Sequence, residues 1–168
     1  GFATNIGPNY VYTLVNPVSI ARRDKTAAVR DRINAVRDVT EGRPTAADEF
    51  PQSSWVAWSQ SCFNARDELI ASRAYHTIPG VGNGAMRANY DETTYAYDPM
   101  GRANRVRSPG GTITRTTFDS RGLPIGTWIG TNDARATDAD PTGGGASGNN
   151  MVIVNANQYD GGADGGDG

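Results

Sequence analysis

The stretch Tyr95-Ala96-Tyr97-Asp98-Pro99-Met100-Gly101-Arg102 is echoed, after Ser108-Pro109-Gly110-Gly111, by Thr112-Ile113-Thr114-Arg115-Thr116-Thr117-Phe118-Asp119-Ser120-Arg121-Gly122. The shared core is aromatic-Asp-x-x-Gly, with Asp98 and Asp119 standing 21 residues apart. A spacing of this size marks a supersecondary unit that is stacked or spiralled against its neighbours. The run from Thr112 to Phe118 is a strand by β-propensity and delivers an aromatic residue at its end. The Asp that follows accepts backbone amides two residues on, Pro99 sets the next φ, and Gly101 or Gly122 takes a positive φ. Pro109 and Gly110 lie in the opposite reversal. The predicted product is an antiparallel hairpin ribbon with Tyr97 and Phe118 buried on one side, in which the repeated Asp residues form turns instead of acting as acids or bases.

Altered copies surround these two. Tyr159-Asp160-Gly161-Gly162 is followed by Ala163 where Gly is expected, and Tyr90-Asp91 begins like the motif before Thr94 ends the match. Glycine is abundant, with 21 residues, and concentrated toward the end of the chain, which favours turns and extended structure there.

The N-terminal half reads differently. Residues 9–18 are rich in Val and Tyr, close at Asn16-Pro17, and are predicted to form a strand. Ala28-Val29-Arg30-Asp31 recurs seven residues later as Ala35-Val36-Arg37-Asp38, helical spacing that predicts an amphipathic helix over 19–40, stopped by Gly42 and Pro44. The same heptad permits a coiled-coil seam, although Lys25 and Arg32 fall at seam positions and fewer than three repeats are present. Beyond a polar connector at 43–52, Trp55, Trp58, Cys62, Ala65 and Leu69 recur at three- and four-residue steps, which predicts a second helix over 53–73. The expected organisation is thus a strand-helix-helix region over 1–89 and repeats over 90–168, continuing beyond the sequence given. The sequence reads as a fragment or processed product, opening at Gly1-Phe2 without Met.

Chemistry-bearing patterns are sparse. The lone Cys62 and the single His76 supply neither a disulfide nor a metal-ligand set, and no Gly-x-Ser-x-Gly occurs. Gly80-Val81-Gly82-Asn83-Gly84 lacks the Gly-Lys-Ser/Thr ending of a phosphate loop. With 16 basic and 18 acidic residues, the net charge of -2 gives no electrostatic footprint for nucleic acid or an anionic membrane. No apolar run approaches the roughly 20 residues of a membrane-spanning helix. Calcium is the one metal with a compositional case, since Asp138 and Asp140 lie in one Asp/Gly-rich stretch and Asp160, Asp164 and Asp167 in another, although neither has EF-hand spacing.

Tyr97, Asp98, Gly101, Arg102, Gly110, Phe118, Asp119, Gly122, Tyr159 and Asp160 resemble the signature of the RHS/YD-repeat family, Tyr-Asp-x-x-Gly-Arg with an intervening Gly turn. The resemblance covers about residues 90–168, with Phe118 for Tyr, Leu123 for Arg and Ala163 for Gly as departures. It implies a long β-ribbon that winds into a hollow shell in secreted or surface-exposed proteins. Some members enclose a toxin and release it by aspartyl self-cleavage near Asp-Pro-x-Gly-Leu. Here the Asp98 site lacks the Leu and the Asp119 site lacks the Pro, so both read as ordinary repeats.

Three functional classes follow. The first is a non-catalytic structural segment of a secreted or cell-surface repeat protein, including a portion of a toxin-encapsulating shell. The second is a subunit of an extracellular fibre or lattice, in which an edge such as residues 9–15 adds to a neighbouring sheet of an identical subunit. The third is an adhesin that exposes Trp55, Trp58 and Trp128 to a ligand.

Overall fold

The computed structural model describes residues 18–36 and 48–159. They form a nine-stranded antiparallel open sheet in simple meander order: β1 (Val18–Arg23), β2 (Val29–Ala35), β3 (Trp55–Phe63), β4 (Leu69–Tyr75), β5 (Tyr90–Tyr97), β6 (Ala103–Arg107), β7 (Ile113–Phe118), β8 (Pro124–Gly130) and β9 (Val152–Ala156). The chain divides into two compact units, residues 1–92 and 93–168, with the division inside β5. The strand predicted at 9–18 lies outside the described residues, except for Val18, which opens β1.

The two predicted helices are replaced by hairpins, and the reason in each case is a single Asx residue. Near the start of the first, the Asp24 carboxylate accepts the amides of Thr26 (2.9 Å) and Ala28 (3.0 Å), which pulls the backbone into a turn. Across the second, Asn64 Oδ1 accepts the amides of Arg66 (2.8 Å) and Glu68 (3.0 Å). Short polar side chains that bond nearby amides compete with helical hydrogen bonding. The heptad of apolar residues then serves a period-two strand: Ile33 and Ala35 are buried while Arg32 and Asn34 are exposed.

The tryptophan spacing has its own explanation. Trp55 and Trp58 are an odd number of positions apart, and regular alternation would send them to opposite faces. A bulge prevents this: Ala35 pairs with Trp55 and Asn34 with Ala57, so Val56 is unmatched and 60% exposed. Both indoles consequently enter one core with Ile33 and Ala35. Their centroids lie 5.0 Å apart edge to face, and Tyr75 stacks on Trp58 at 3.7 Å. The segment from Phe50 seals one side, its carbonyl accepting Trp55 Nε1 at 3.0 Å.

A polar row crosses the first unit beside this core. Asp31 faces Gln60, and Gln60 faces Arg73. Asp31 accepts Trp58 Nε1 (2.9 Å), Arg73 donates to Gln60 (2.8 Å) and pairs with Glu92 (2.7 Å), and the guanidinium lies over the Tyr90 ring. Opposite charges matched across strands stabilise the pairing register that the apolar residues select.

In the second unit Ile113, Arg115 and Thr117 form the buried face of β7. Tyr97 and Phe118 are half-buried instead of buried. Tyr95, Val106 and Thr114 are cross-sheet partners, and Tyr97 and Phe118 lie an even number of residues beyond Tyr95 and Thr114, so both positions share one side of the sheet.

Candidate functional site

The most conspicuous construction is a turn that appears four times, once at every described connection from an odd-numbered strand to the next even-numbered one. Its residues are Asp24–Ala28, Asn64–Glu68, Asp98–Arg102 and Asp119–Leu123. In each, the Asx amide donates to the carbonyl four residues on, and the residue at the fourth position donates back to the Asx carbonyl, at 2.9–3.1 Å throughout. In each, the Asx Oδ1 also accepts the amides two and four residues on: Met100 (2.9 Å) and Arg102 (3.0 Å) at Asp98, Arg121 (2.9 Å) and Leu123 (2.8 Å) at Asp119. The fourth position always has positive φ, at Ala27 (65°), Asp67 (59°), Gly101 (80°) and Gly122 (88°). This is a three-residue hairpin loop whose left-handed residue re-aims the chain. One extra residue follows in the second strand of each hairpin, namely Arg30, Ile70, Asn104 or Ile125. Ser108–Thr112 closes the opposite β6–β7 connection with the same backbone bonds and with Ser108 Oγ in place of a carboxylate; Pro109 and Gly110 lie inside it, and no extra residue follows.

Arginines tie one turn to the next. Arg102 donates to Asp98 (2.6 Å), lies 4.5 Å from the Phe118 ring centroid, and reaches the Asp119 carbonyl (3.4 Å). A Cβ on Gly122 would stand 3.2 Å from Arg102 Nη1, so Gly122 gives this guanidinium room. In the first unit Arg30 pairs with Asp24 and lies 4.7 Å from the Phe63 ring centroid, with Phe63 again preceding the next turn. The same link thus joins turn Asp, Arg and the following aromatic in both units. A cation over an aromatic face adds about 0.5–1 kcal/mol at a partly exposed site.

These contacts govern the carboxylates. Burial pushes Asp98 upward, but the Arg102 amide and guanidinium overcome it and hold the group below its ordinary range. Asp119 is lowered chiefly by the Leu123 amide, and Asp24 chiefly by the Thr26 hydroxyl. All three are anchored as anions in their turns.

The second construction pins the 131–150 connection onto the sheet. Asp133 receives Arg105 through Nε (2.6 Å) and Nη2 (3.1 Å), and Arg115 through Nη1 (2.7 Å). Arg105 and Arg115 face each other across β6 and β7, so Asp133 neutralises two like charges that the register forces together. The hydrogen bond from Arg105 is the main cause that holds Asp133 at about 2, against the opposing effect of burial. Asn104, the extra residue beside Arg105, donates to Asp138. Asp98, Arg102, Asn104, Phe118, Asp138 and Ala139 line an open-sided pocket of about 130 Å³.

The calcium candidates are placed as follows. Asp138 accepts Asn104 and stands 3.9 Å from Arg115. Asp140 accepts the Thr142 hydroxyl (2.6 Å), the Thr142 amide (2.9 Å) and the Gly144 amide (2.7 Å), and the Thr142 hydroxyl is the main cause that lowers its pKa. Asp160, Asp164 and Asp167 lie outside the described residues. No group of three or more His, Cys, Asp or Glu side chains arranged to hold a metal ion occurs among the described residues. Tyr159 ends the described chain and donates its hydroxyl to the Pro124 carbonyl (3.1 Å). His76 is exposed beside Thr77, and Cys62 is a half-buried free thiol.

Trp55 and Trp58 are 8% and 5% exposed, and Trp128 is half-buried with its Nε1 shielded from solvent. The exposed aromatic platform of the adhesin expectation is therefore absent at Trp55 and Trp58.

Two Asx turns and the Asp133 cluster escape a motif of aromatic-Asp-x-x-Gly. Relaxing it to Arg or aromatic, then Asp or Asn, then Gly, Ala or Asp at the positive-φ position finds Arg23-Asp24 and Phe63-Asn64. Nothing local signals Asp133, whose partners stand 28 and 18 residues away. No family model matches the chain, and no curated protein sequence matches it. No described helix is long and apolar enough to cross a membrane.

Proposed function

We propose that this chain is a non-catalytic structural segment of RHS/YD-repeat type, a length of β-ribbon scaffold in a larger secreted or cell-surface protein. The observation that carries the reading is the recurrence of one turn geometry at four successive hairpins, with Arg102 and Arg30 coupling a turn to the next aromatic. The polar residues that a catalytic reading would need, Asp98, Asp119 and Asp133, are engaged as anions in backbone amides or guanidinium groups. A general acid or base requires a group poised to exchange protons near the working pH. The strongly bonded carboxylates instead act as turn formers and fasteners.

The test is to treat intact source cells with a non-penetrating protease and identify the released peptides, with the intact polypeptide mass measured in parallel. Release of peptides from this region, within a polypeptide far heavier than 17.8 kDa, is the expected result. A free-standing intracellular chain of 17.8 kDa would overturn the reading. A second reading, a fibre or lattice subunit joined to identical subunits through strand edges, is favoured by the exposed apolar character of β9. Light scattering separates the two, since a fibre subunit gives particles that grow with concentration.

A further inference from the structure

Asn83-Gly84 is the one Asn-Gly step in the sequence, and it lies in the β4–β5 connection, where every residue from Gly80 to Ala88 is exposed. Backbone atoms anchor this connection on both sides of the step. Gln52 Nε2 donates to the Gly82 carbonyl (2.7 Å) and the Tyr75 hydroxyl to the Asn83 carbonyl (3.0 Å). The Ala85 amide donates to Asn89 Oδ1 (2.9 Å), and the Asn89 amide donates back to the Ala85 carbonyl (2.8 Å).

Between these anchors two groups are left free. Every other described asparagine has its side-chain amide in at least one hydrogen bond. The Asn83 carboxamide has no partner among the described residues, and the Gly84 amide donates to none of them. Such a pair is reactive, because the amide nitrogen closes a five-membered ring on the side-chain carbon. A side chain on the following residue normally screens that nitrogen, and glycine has none. The fold itself requires glycine here: its φ is 67°, and a Cβ would collide with the Asn89 side chain. We propose that Asn83 is a self-modification site, converting through a succinimide with the Gly84 nitrogen to an aspartyl or isoaspartyl residue, and that the Tyr75 hydroxyl promotes the ring closure.

Hydroxide removes the Gly84 amide proton, and the nitrogen forms a bond to Asn83 Cγ. The bond from Cγ to the side-chain nitrogen then breaks, and that nitrogen takes a proton from water and leaves as ammonia. Water opens the ring in turn. Cleavage between the ring nitrogen and Cγ gives the aspartyl residue, and cleavage between that nitrogen and the main-chain carbonyl carbon gives the isoaspartyl linkage. The net change is ammonia lost and water gained, with nothing oxidised or reduced. Deprotonation of Gly84 places negative charge on the oxygen of the same peptide group, the Asn83 carbonyl, which is the atom that Tyr75 holds. A donor already aimed where charge develops lowers the barrier. Burial pushes the Tyr75 phenol up to about 12, so it stays protonated and donating at neutral and mildly alkaline pH. The product carries a new negative charge between exposed Val81 and Met86, in a stretch without a charged residue from Thr77 to Met86. The inference does not depend on the scaffold reading.

The experiment incubates the purified full-length polypeptide at mildly alkaline pH and follows the exchange of ammonia for water at each asparagine by peptide mass mapping, with fragmentation that distinguishes the isoaspartyl linkage. Wild type, Asn83→Gln and Tyr75→Phe are each followed folded and in guanidinium chloride. A phenylalanine ring keeps the stacking on Trp58, and tryptophan fluorescence checks that the core is intact. In the folded wild type, position 83 should convert ahead of every other described asparagine, and Asn83→Gln should leave that position unmodified. Folded Tyr75→Phe should convert roughly fivefold more slowly, the effect of one lost hydrogen bond. In denaturant the two rates should coincide, because the hydroxyl no longer reaches the carbonyl. A folded wild type that stays unmodified at position 83 while the denatured chain converts would overturn the inference. A folded Tyr75→Phe variant that converts as fast as wild type, or faster, would overturn the role given to the hydroxyl.

Discussion

Replacing Asp133 by Asn tests the energetics of the sheet-to-loop fastening most directly. Asp133 binds Arg105 and Arg115 with its side chain 15% exposed, and the two arginines are 24% and 10% exposed. Asn keeps the shape but removes the charge, leaving two guanidinium groups opposed in register across β6 and β7. Removing one member of a fully buried ion pair costs about 3–5 kcal/mol. Partial exposure brings the expected loss here to about 2–3 kcal/mol, because solvent screens the residual repulsion. The pH dependence gives a second reading. A carboxylate depressed from 3.8 to about 2 contributes stability that is fully present above pH 3.8 and is lost as pH falls through about 2. The full shift corresponds to roughly 2.4 kcal/mol, reduced by solvent screening to about 1–2 kcal/mol. Urea unfolding of wild type and Asp133→Asn at pH 7 and at steps from pH 4 to pH 2 should show a large gap that narrows with acidity. Adding Arg115→Met to Asp133→Asn should recover part of the loss, since it removes one unpaired charge. A wild-type and variant pair separated by less than about 0.5 kcal/mol at pH 7, or running parallel down to pH 2, would refute the reasoning.

Three shorter predictions follow from the same structure. Gly101 has φ 80° and Ala27 has φ 65°, so Gly101→Ala should lower the melting temperature and Ala27→Gly raise it, each by an effect of about 1 kcal/mol. Trp58→Ala removes a buried indole, its stacking on Tyr75 and its bond to Asp31, and should cost about 3–5 kcal/mol in chemical denaturation, more than Trp128→Ala at its half-buried position. Burial pushes the Tyr75 phenol up to about 12, and its hydroxyl donates to the Asn83 carbonyl. An absorbance titration should therefore contain a late tyrosinate phase that Tyr75→Phe abolishes. Stability should fall as pH rises from about 10 toward 12, because the unfolded phenol ionises first.

The sequence of the second unit announces its fold because strand and turn signals agree there. Thr112 to Phe118 has high β-propensity, and Asp119 to Gly122 supplies both the Asx acceptor and the residue suited to positive φ. In the first unit the signals conflict. Ala28 to Val36 and Trp55 to Leu69 present apolar residues at helical steps, and the features that defeat a helix are modest: one Asp at 24, one Asn at 64, and the unmatched Val56. A bulge is invisible to any rule based on a fixed period, so the tryptophans argue for a helix until the register is known. The Asp133 cluster is a tertiary feature, assembled from two strands and a connection, and no short pattern contains it. Asp138 and Asp140 look in sequence like cation ligands because an Asp-Gly-rich segment is also what a tightly turned connection requires.

The four turns also explain why a repeat can fade in sequence while persisting in three dimensions. What the hairpin needs is an oxygen at the first position to collect two amides and a fourth residue that accepts positive φ. Asn64 satisfies the first requirement as well as Asp98 does, and Asp67 and Ala27 satisfy the second at a cost of roughly 1 kcal/mol relative to glycine. That cost is small beside the burial of Trp55 and Trp58 within the same unit, so selection for the fold tolerates it. The charge on the turn residue is a separate matter. Only an Asp can bind the arginine that reaches the next aromatic, and both such links, Asp24–Arg30–Phe63 and Asp98–Arg102–Phe118, start from Asp. Asn64 lacks the link: its Nδ2 donates to Glu68 instead. An Asp98→Asn exchange should accordingly preserve the hairpin but uncouple Arg102, while Asp98→Ala should disturb both. Chemical shifts of the Met100 and Arg102 amides report the turn, and those of the Phe118 ring report the coupling. If Asp98→Asn moved the amides as far as Asp98→Ala does, turn formation and turn-to-turn coupling would be one function of the carboxylate and not two.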